Sequence, residues 1–523
     1  MSAEISSSAK APVIAQPRHT ELLTEHSRCV NQQHAQPIKA MAISVSFYAL
    51  LALILWLPIP LGSNRPWAWS IMQVASFAIL ATLVMALEPR QIIQSLRRYA
   101  PLVVALFLFV VYQLIQIMPL PLELVSQLSV NSALLHKQAL SVQGLTLTEM
   151  PWVTLALDPT QAGIAALKSM SYLAITLSVL LLVNSFRRLK LLMFALIVAG
   201  TWQGFYGAIS ALSGQSTSFF LELANSTNTN NGSANGSFVY RNHYANFLML
   251  CLAIGLGYLV ATLHANKQAA SSAKDHARRW LSTLISGKAA LRIALAIMVV
   301  GIVLSRSRMG NSAFFIALTI TGVLALLLMH KKSKSLAVLL ASVLLIDSFI
   351  LGSYFGIDKV KTRIEQTRIE QEVRVDVNQY SWQLVKLFPT VGVGGGGYYS
   401  AFGLVQGDNI HAFFDHAHND YLQFAVEYGL VATMWLGSIV LVSLYYALMA
   451  MRRRRAPLLQ GLGFACCLAI IGMLIHCTVD FNLQAPANAA YFHIVLALAW
   501  IAHVGLPSKS GGNSSKTRLT VKR

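Results

Sequence analysis

The sequence predicts an all-α polytopic membrane protein with about 12 transmembrane helices and a long outer loop between the ninth and tenth helix. Hydrophobic residues make up 55% of the 523 residues and charged residues only 11%, whereas soluble domains contain roughly 25% charged residues. Apolar runs recur along the chain, and each approaches the ~20 residues that a helix needs to cross a bilayer. This composition argues against a soluble enzyme, and its hydrophobicity excludes disorder over most of the length.

Twelve runs qualify as membrane spans by length and apolar content. They are residues 41–62, 67–87, 100–119, 169–185, 190–212, 243–264, 289–305, 310–329, 335–355, 427–450, 458–478 and 485–505. Residues 1–40 are polar and proline-containing, which predicts a disordered cytoplasmic tail. Residues 41–505 then form the membrane domain, and residues 506–523 form a basic cytoplasmic tail.

The basic residues predict the orientation, because cytoplasmic loops are enriched in Lys and Arg. The chain has 40 Lys and Arg against 20 Asp and Glu, a formal net charge of +20. With the N-terminus in the cytoplasm, 28 of the 40 basic residues fall on the cytoplasmic side, including the run Arg452–Arg455. Both termini are therefore expected inside. Since topology explains most of the positive charge, no nucleic-acid partner is expected.

Three long segments fall on the outer side. Residues 120–168 include an apolar stretch that predicts an interfacial helix. Residues 213–242 are rich in Asn, Ser and Thr and are expected to be mobile. Residues 356–426 form the longest outer loop, in which the repeat TRIEQTRIEQ at 362–371 predicts a short exposed helix. The glycine run 392–397 lacks the Lys-Ser/Thr of a phosphate-binding loop, which favours a flexible turn at the membrane surface.

Arginines on the outer side depart from the charge pattern. Arg306 and Arg308 lie in the short connection between the seventh and eighth spans, and Arg241 lies at the outer mouth of the sixth. Either these side chains snorkel to lipid head groups, or they form an anion site. The guanidinium fork suits phosphate oxygens, so Arg241 and Arg308 together predict a clamp for a pyrophosphate.

A polar cluster closes the long outer loop at Asp415–Leu422 and leads into the tenth span. Imidazole and carboxylate groups at His416, His418, Asp415 and Asp420 suit a zinc or manganese site. Acid/base chemistry needs only one histidine with a suitable pKa. A purely structural role for these loop residues is the third alternative.

Further polar residues have two interpretations each. Asp480 and Asn482 follow the eleventh span and either line the same outer cavity or solvate a turn. Arg374, Tyr380 and Trp382 lie in the long loop, where they either bind sugar by ion pairing and stacking or pack the loop.

Several motifs resemble those of the O-antigen ligase and O-antigen polymerase superfamily, in order, spacing and outer-side placement. The matching segments are Phe238–Asn246, Ser307–Gly310, Phe388–Gly394 and Asp415–Leu422 with Phe424–Gly429, together with Pro119–Ser129 and Leu157–Pro159 in the early outer loop. The resemblance covers roughly residues 40–505.

The resemblance implies a membrane glycosyltransferase that takes glycans from undecaprenyl pyrophosphate at the periplasmic face of the inner membrane. It implies an inverting, metal-independent reaction without a cofactor, in which His418 deprotonates the acceptor hydroxyl. Arg241 and Arg308 would hold the pyrophosphate, with Arg306 as the alternative to Arg308. Supporting roles are expected for His416, Asn419, Asp420, Glu427 and Arg374.

Two classes of function remain open. The first is an enzyme, with an O-antigen ligase of lipopolysaccharide biosynthesis favoured, whose acceptor is the lipid A core or another glycan. Within this class, a polymerase of lipid-linked repeat units and a protein O-oligosaccharyltransferase are alternatives. The second class is a transporter or flippase of an anionic lipid-linked glycan. The two halves of the chain show no similarity, and the candidate charges lie at the outer face, which favours the enzyme.

Overall fold

The computed structural model describes residues 19–144, 152–213, 232–262, 287–329, 341–342, 373–411 and 414–506. Sixteen helices occur in this part of the chain, with bounds as follows: α1 His19–Trp56, α2 Pro66–Ala86, α3 Pro89–Arg97, α4 Ala100–Ile117, α5 Leu122–Leu128, α6 Val130–Val142, α7 Pro159–Leu182, α8 Phe186–Ser213, α9 Arg241–Thr262, α10 Gly287–Leu304, α11 Arg308–Leu328, α12 373–387, α13 Tyr398–Phe402, α14 Asp420–Arg453, α15 Pro457–His476 and α16 Pro486–Val504. A two-residue antiparallel pair joins β1 Leu120–Pro121 to β2 Trp152–Val153.

Ten of the described helices are long and apolar enough to cross a membrane, and the shorter apolar helix Ala289–Leu304 lies within α10. These helices coincide with eleven of the twelve predicted spans. The ninth predicted span, 335–355, lies outside the described residues except for 341–342. The predicted fold class, an all-α polytopic membrane protein, is confirmed, and the number of twelve spans stays a prediction.

Two helix starts differ from the sequence-based prediction. Helix α1 begins at His19, inside the segment predicted to be disordered. Residues 19–36 contain neither Gly nor Pro, so nothing in them breaks a helix. Helix α7 begins at Pro159, ten residues before the predicted span, because Asp158 caps it by accepting a hydrogen bond from the backbone N–H of Gln161 at 3.0 Å.

The predicted interfacial helix corresponds to two short helices, α5 and α6. The duplicated segment 362–371 and residues 214–231 of the Asn-rich segment lie outside the described residues.

Helices α9, α15 and α16 form the centre of the bundle. Each is 83% buried along its most apolar window, whereas the outer helices α2 and α14 are only 28% buried. Helices α9 and α15 approach closely at two glycines. A Cβ at Gly257 would lie 2.3 Å from the backbone oxygen of Gly461, so a side chain at this position would push the helices apart. Small residues at such contacts are typical of helix packing in membranes.

Polar contacts join several helix ends at one end of the bundle. The Asn488 side chain at the start of α16 donates to the His243 carbonyl at 3.0 Å in the first turn of α9. The backbone N–H of Asp420, at the start of α14, donates to the Cys477 carbonyl at 3.0 Å, just after α15 ends. The first turns of α9, α14 and α16 and the last turn of α15 therefore meet at the same end.

The glycine run lies buried in this structure, so the prediction of a surface turn is wrong. Helix α14 is interrupted at Gly429, whose φ is 76°. The glycine run supplies donors to the carbonyls beside this break: the N–H of Val393 donates to Val426 and that of Gly394 to Glu427, both at 2.9 Å. Gly392 has a φ of 70°, and a Cβ there would lie 2.5 Å from the Glu427 backbone. Only glycine fits this contact without strain.

Candidate active site

His418 lies in the segment between α13 and α14, two residues before α14 begins. Its φ is 50°, in the left-handed region that costs a side-chain-bearing residue energy. The imidazole lies edge-on to Phe481, with 4.7 Å between ring centroids, and edge-on to Phe414 at 5.9 Å. The side chain stays 20% exposed. The ring is thus held by two aromatic side chains and still reaches open space.

Asp480 lies directly beside His418. The Asp480 Oδ1 atom is 4.0 Å from His418 Nδ1, and the Asp480 residue is 2% exposed. The backbone N–H of Phe481 donates to the same carboxylate oxygen at 3.0 Å, which fixes the carboxylate. The sequence left Asp480 open between cavity lining and turn solvation, and the structure places it against the candidate base.

The surroundings set the protonation states of this pair. Burial, followed by the positive charge of Arg374 and by His416, lowers the pKa of His418 to about 3. Burial raises the pKa of Asp480 to about 6, although Arg374 and Arg241 among other groups oppose that rise. Near neutral pH the imidazole is therefore neutral and the carboxylate ionised. A neutral imidazole can accept a proton, and the resulting imidazolium would face a carboxylate.

Two of the predicted arginines act on this pair. Arg374 interacts electrostatically with both His418 and Asp480, and Arg241 with Asp480. Arg374 lies in the second position of α12, and Arg241 is the first residue of α9. The structure therefore brings together residues from the long loop, the sixth predicted span and the segment after the eleventh.

Arg308 lies at the start of a helix that touches α9. A Cβ at Gly310 would lie 2.6 Å from Ala245 Cβ, so the first turns of α11 and α9 are in contact. Arg308 and Arg241 are the first residues of these two helices. Helix N-termini carry partial positive charge, which adds to the two guanidinium groups. This end of the bundle is thus suited to an anion.

Arg306 has a different environment. It lies in the turn between α10 and α11 with a φ of 54°. Its guanidinium lies beside Gly232, because a Cβ there would be 3.3 Å from Nη2. The N–H of Ala234, in the same segment, donates to the Leu304 carbonyl at 2.8 Å. Arg306 is half-buried in this turn, whereas Arg308 is exposed.

His416 faces a cavity of about 380 Å³. Its ring stacks on the Phe481 ring with 4.4 Å between centroids, whereas the His418 ring stands nearly perpendicular to Phe481. The polar end of the cavity is lined by Asn64, Gln161, Lys168, Asp415, Gln423 and Glu427, in addition to His416. The apolar lining residues include Leu106, Phe109, Leu173, Ile439 and Leu496.

Three residues of this site were not singled out from the sequence: Lys168, Gln423 and Phe481. Lys168 could have been selected from the sequence, because a charge inside an apolar helix tends to mark function. Its ammonium lies 3.9 Å above the Trp69 ring and interacts electrostatically with Glu427. No feature of the sequence indicated Gln423 or Phe481, since only their contacts in the structure distinguish them.

Asn419 and Asp420 build the loop around His418. The Asn419 side chain caps α14 by accepting from the N–H groups of Tyr421 and Leu422, at 3.0 and 3.2 Å. The Asp420 carboxylate is 1% exposed and accepts from the N–H of Leu483 at 3.0 Å.

Tyr380 donates to Asn409 Oδ1 at 2.7 Å within the long loop. In the described ranges, no group of three or more His, Cys, Asp or Glu residues is arranged to hold a metal ion.

Comparison with known proteins gives one family match. The model of the O-antigen ligase family matches residues 293–437. The predicted relation to the O-antigen ligase superfamily is confirmed. No curated protein matches the chain. The O-antigen ligase match covers Arg308, Arg374 and His418, whereas Arg241 and Asp480 lie outside it. It supports a membrane enzyme that transfers a glycan, with lipid-linked glycans as substrates.

Replacing Asp480 by Asn tests whether the carboxylate supports His418. We expect transfer activity to fall about 10- to 100-fold, because an imidazolium loses a carboxylate 4.0 Å away, an attraction of about 1–4 kcal/mol. In the wild type, activity should also fall as the pH drops through about 6, where Asp480 gains a proton. In kcat/KM for the donor, which reports the unliganded protein, that acidic decline should vanish in Asp480→Asn, and an unchanged pH profile would remove Asp480 from the mechanism. Initial rates between pH 5 and 8 provide the measurement.

Proposed function

We propose that this O-antigen ligase-superfamily chain transfers a glycan from undecaprenyl pyrophosphate to an acceptor hydroxyl. The acceptor class that we favour is the lipid A core, as in an O-antigen ligase. The observation that carries the proposal is the position of His418 Nδ1, 4.0 Å from the buried Asp480 carboxylate, with Arg374 and Arg241 acting electrostatically on Asp480. A base next to a cationic, anion-binding helix end is what transfer from a pyrophosphate requires.

In the proposed reaction, the acceptor oxygen attacks the anomeric carbon from the side opposite the pyrophosphate, which inverts the configuration. The bond between this carbon and the pyrophosphate oxygen breaks, and undecaprenyl pyrophosphate leaves with both bonding electrons. The acceptor proton passes to His418, and Asp480 stabilises the imidazolium from 4.0 Å. His418 later returns the proton to water.

The arginines would stabilise the leaving group. Negative charge grows on the bridging oxygen as the bond breaks, and fixed donors aimed at developing charge are an effective source of rate enhancement. Arg241 and Arg308 lie at the starts of two touching helices, where the helix dipoles add to their charge. Guanidinium groups can thereby take the part that a metal ion plays in other transferases.

The proposed orientation places the site at the periplasmic face of the inner membrane, with both termini in the cytoplasm. Helix α14 supports it, because the helix begins at Asp420 beside the site and ends at the basic run that starts with Arg452. Lys and Arg are enriched on the cytoplasmic side of membrane proteins. The site therefore lies at the end opposite to the one expected inside.

A strain that lacks this protein tests the proposed function and separates it from its alternatives. For a ligase, we expect full-length glycan chains to accumulate on the lipid carrier, because the carrier-linked product is no longer transferred. Single repeats attached to the final acceptor would instead indicate a polymerase. Unmodified protein acceptors with normal polysaccharide would indicate a protein O-oligosaccharyltransferase. The measurement is a gel of surface polysaccharide together with analysis of carrier-linked glycans.

Complementation separates catalysis from transport. Wild-type protein should restore the gel pattern and His418→Ala should not, although both insert in the membrane. Purified protein in liposomes should transfer glycan when donor and acceptor are on the same side. Movement of the lipid-linked glycan across the bilayer without transfer would establish the transporter alternative and overturn the proposal.

A further inference from the structure

Gln423 links the glycine run to the histidine segment through a fully used amide. Its Nε2 atom lies 2.8 Å from Glu427 Oε1 and 2.9 Å from His416 Nδ1. Its Oε1 atom accepts from the backbone N–H of Ala417 at 2.9 Å. Gln423 and Glu427 are each 1% exposed. A primary amide has two donor hydrogens, and both are committed here.

The direction of these hydrogen bonds fixes the state of His416. A carboxylate can only accept, and the backbone N–H of Ala417 can only donate. The Gln423 amide must therefore present its nitrogen to Glu427 and its oxygen to Ala417. Its second N–H then points at His416 Nδ1, which must accept. An imidazole that accepts at Nδ1 carries its proton on Nε2 and is neutral.

The Glu427 carboxylate is itself anchored from several elements. Lys168 of α7 interacts with it electrostatically, and the backbone N–H groups of Gly396 and Tyr398 act on it as hydrogen-bond donors. Lys168 comes from another helix, Gly396 lies in the glycine run, and Tyr398 is the first residue of α13. Each of these groups, like the Gln423 N–H, donates to Glu427 or carries positive charge, so the Glu427 oxygens act as acceptors toward them. Burial also lowers the pKa of His416, which agrees with a neutral ring.

The Nε2 edge of the His416 ring is then available to a ligand in the cavity. The side chain is 25% exposed, and its Nε2 atom lies 3.9 Å from Asp415 Oδ2 at the polar end of the cavity. This end offers the His416 N–H and the Lys168 ammonium as donors and the Asp415 carboxylate as an acceptor. A ligand rich in hydroxyl groups satisfies donors and acceptors together, as a sugar does.

We propose that Glu427 and Gln423 hold His416 as a neutral Nε2–H imidazole, which donates a hydrogen bond to a hydroxyl oxygen of the acceptor sugar. This inference rests on the proposed function and assigns the acceptor to the cavity that His416 lines. His416 lines this cavity and stacks on Phe481, whereas His418 stands perpendicular to the same ring beside Asp480, so we assign the two histidines different roles. His416 binds the acceptor, and His418 removes its proton.

A pair of His416 variants tests this assignment. Asn places its amide nitrogen near the former Nδ1 position, whereas Gln can reach the position of Nε2. We expect His416→Asn to raise the KM for the acceptor about tenfold, the cost of roughly one hydrogen bond, with an unchanged KM for the donor. His416→Gln should raise the acceptor KM less than His416→Asn does, because its amide nitrogen can donate from the Nε2 position. Equal effects of both variants, an unchanged acceptor KM in His416→Asn, or a rise in the donor KM would each overturn the inference.

The tautomer can be measured without any substrate. In protein labelled with ¹⁵N-histidine, we expect His416 to show an unprotonated Nδ1 and a protonated Nε2, assigned by the loss of its signals in His416→Gln. In Gln423→Glu both amide hydrogens are gone and a carboxylate only accepts, so we expect His416 to carry a proton on Nδ1. Charged or titratable groups that act on this ring include Asp415, Lys168, His243 and His418, so both samples are compared at one pH.

A protonated Nδ1 in the wild type would overturn the inference whatever the enzyme does. Failure of the proposed function gives a different result, because His418→Gln would then keep full transfer activity while the His416 tautomer remained as expected. If Gln423→Glu does not fold, the two His416 variants still decide.

Discussion

Replacing His418 by Gln should reduce glycan transfer by about 10²- to 10⁴-fold, the usual contribution of a positioned general base. The protein should still insert and fold, because the imidazole contacts Phe481 and Phe414 edge-on and its Nδ1 makes no hydrogen bond in the described part of the chain. Gln keeps the polarity and approximate size of the ring but cannot take up a proton. The loss should appear in kcat at saturating donor and acceptor.

His411 offers a matched control for this experiment. His411 is exposed and lies in the same long segment, before Phe414 in the chain, whereas His418 follows Phe414. His411→Gln should have wild-type activity, so a loss in both variants would indicate damage to the segment and not to the base. Near-normal transfer by His418→Gln with an intact fold would show that another group accepts the proton.

The pKa of His418 adds a requirement to this mechanism. In the unliganded protein Arg374 helps to lower that pKa to about 3, which is low for a base that works near neutral pH. A bound pyrophosphate would neutralise Arg374, and the pKa of His418 would then rise. We therefore expect donor binding to raise the pKa of His418, so that binding of the donor precedes proton transfer.

Replacing Arg308 by Lys should lower kcat about 10- to 100-fold, although the positive charge remains. A lysine ammonium is a point charge and cannot form the two parallel hydrogen bonds that a guanidinium offers to phosphate oxygens. A hydrogen bond to a charged group is worth about 1.5–3 kcal/mol, which corresponds to this range of rates. Arg241→Lys should behave in the same way, because Arg241 begins the neighbouring helix. Transfer rates at saturating donor provide the measurement.

Arg306→Lys is the matched control, two residues from Arg308 and in the same turn. Its guanidinium lies beside Gly232, so its replacement should affect the packing of that segment more than the rate at saturating donor. Wild-type activity in Arg308→Lys combined with inactive Arg306→Lys would move the pyrophosphate site to Arg306.

Hydropathy and charge predicted much of the fold because the bilayer is a simple solvent. A span must be apolar over a fixed length, so eleven of the helices could be located from the sequence. Their ends were less accurate. The start of α7 was missed by ten residues because its first turns hold Lys168 and small polar residues, which depress hydropathy although the helix is capped at Asp158.

The residues of the candidate site could likewise be predicted only in part from the sequence. His418, Arg241, Arg308 and Arg374 could be selected from the sequence because polar groups at the outer ends of apolar helices are conspicuous. Asp480 could not be chosen over a turn residue, and Gln423 could not be noticed at all. Their importance comes from contacts with residues that lie on other elements or several positions away.

The sequence by itself determined that the chain is a helical membrane protein with its candidate chemistry at one face, because burial in lipid and charge asymmetry act on local composition. Only the tertiary structure decided which polar groups meet. Asp480 follows α15 and His418 precedes α14, and they come together because the ends of these helices are joined by the N–H of Asp420. The glycine run became a buried partner of Glu427 for the same reason. An interrupted helix leaves carbonyl groups that must find donors, and only a backbone without side chains approaches closely enough to supply them.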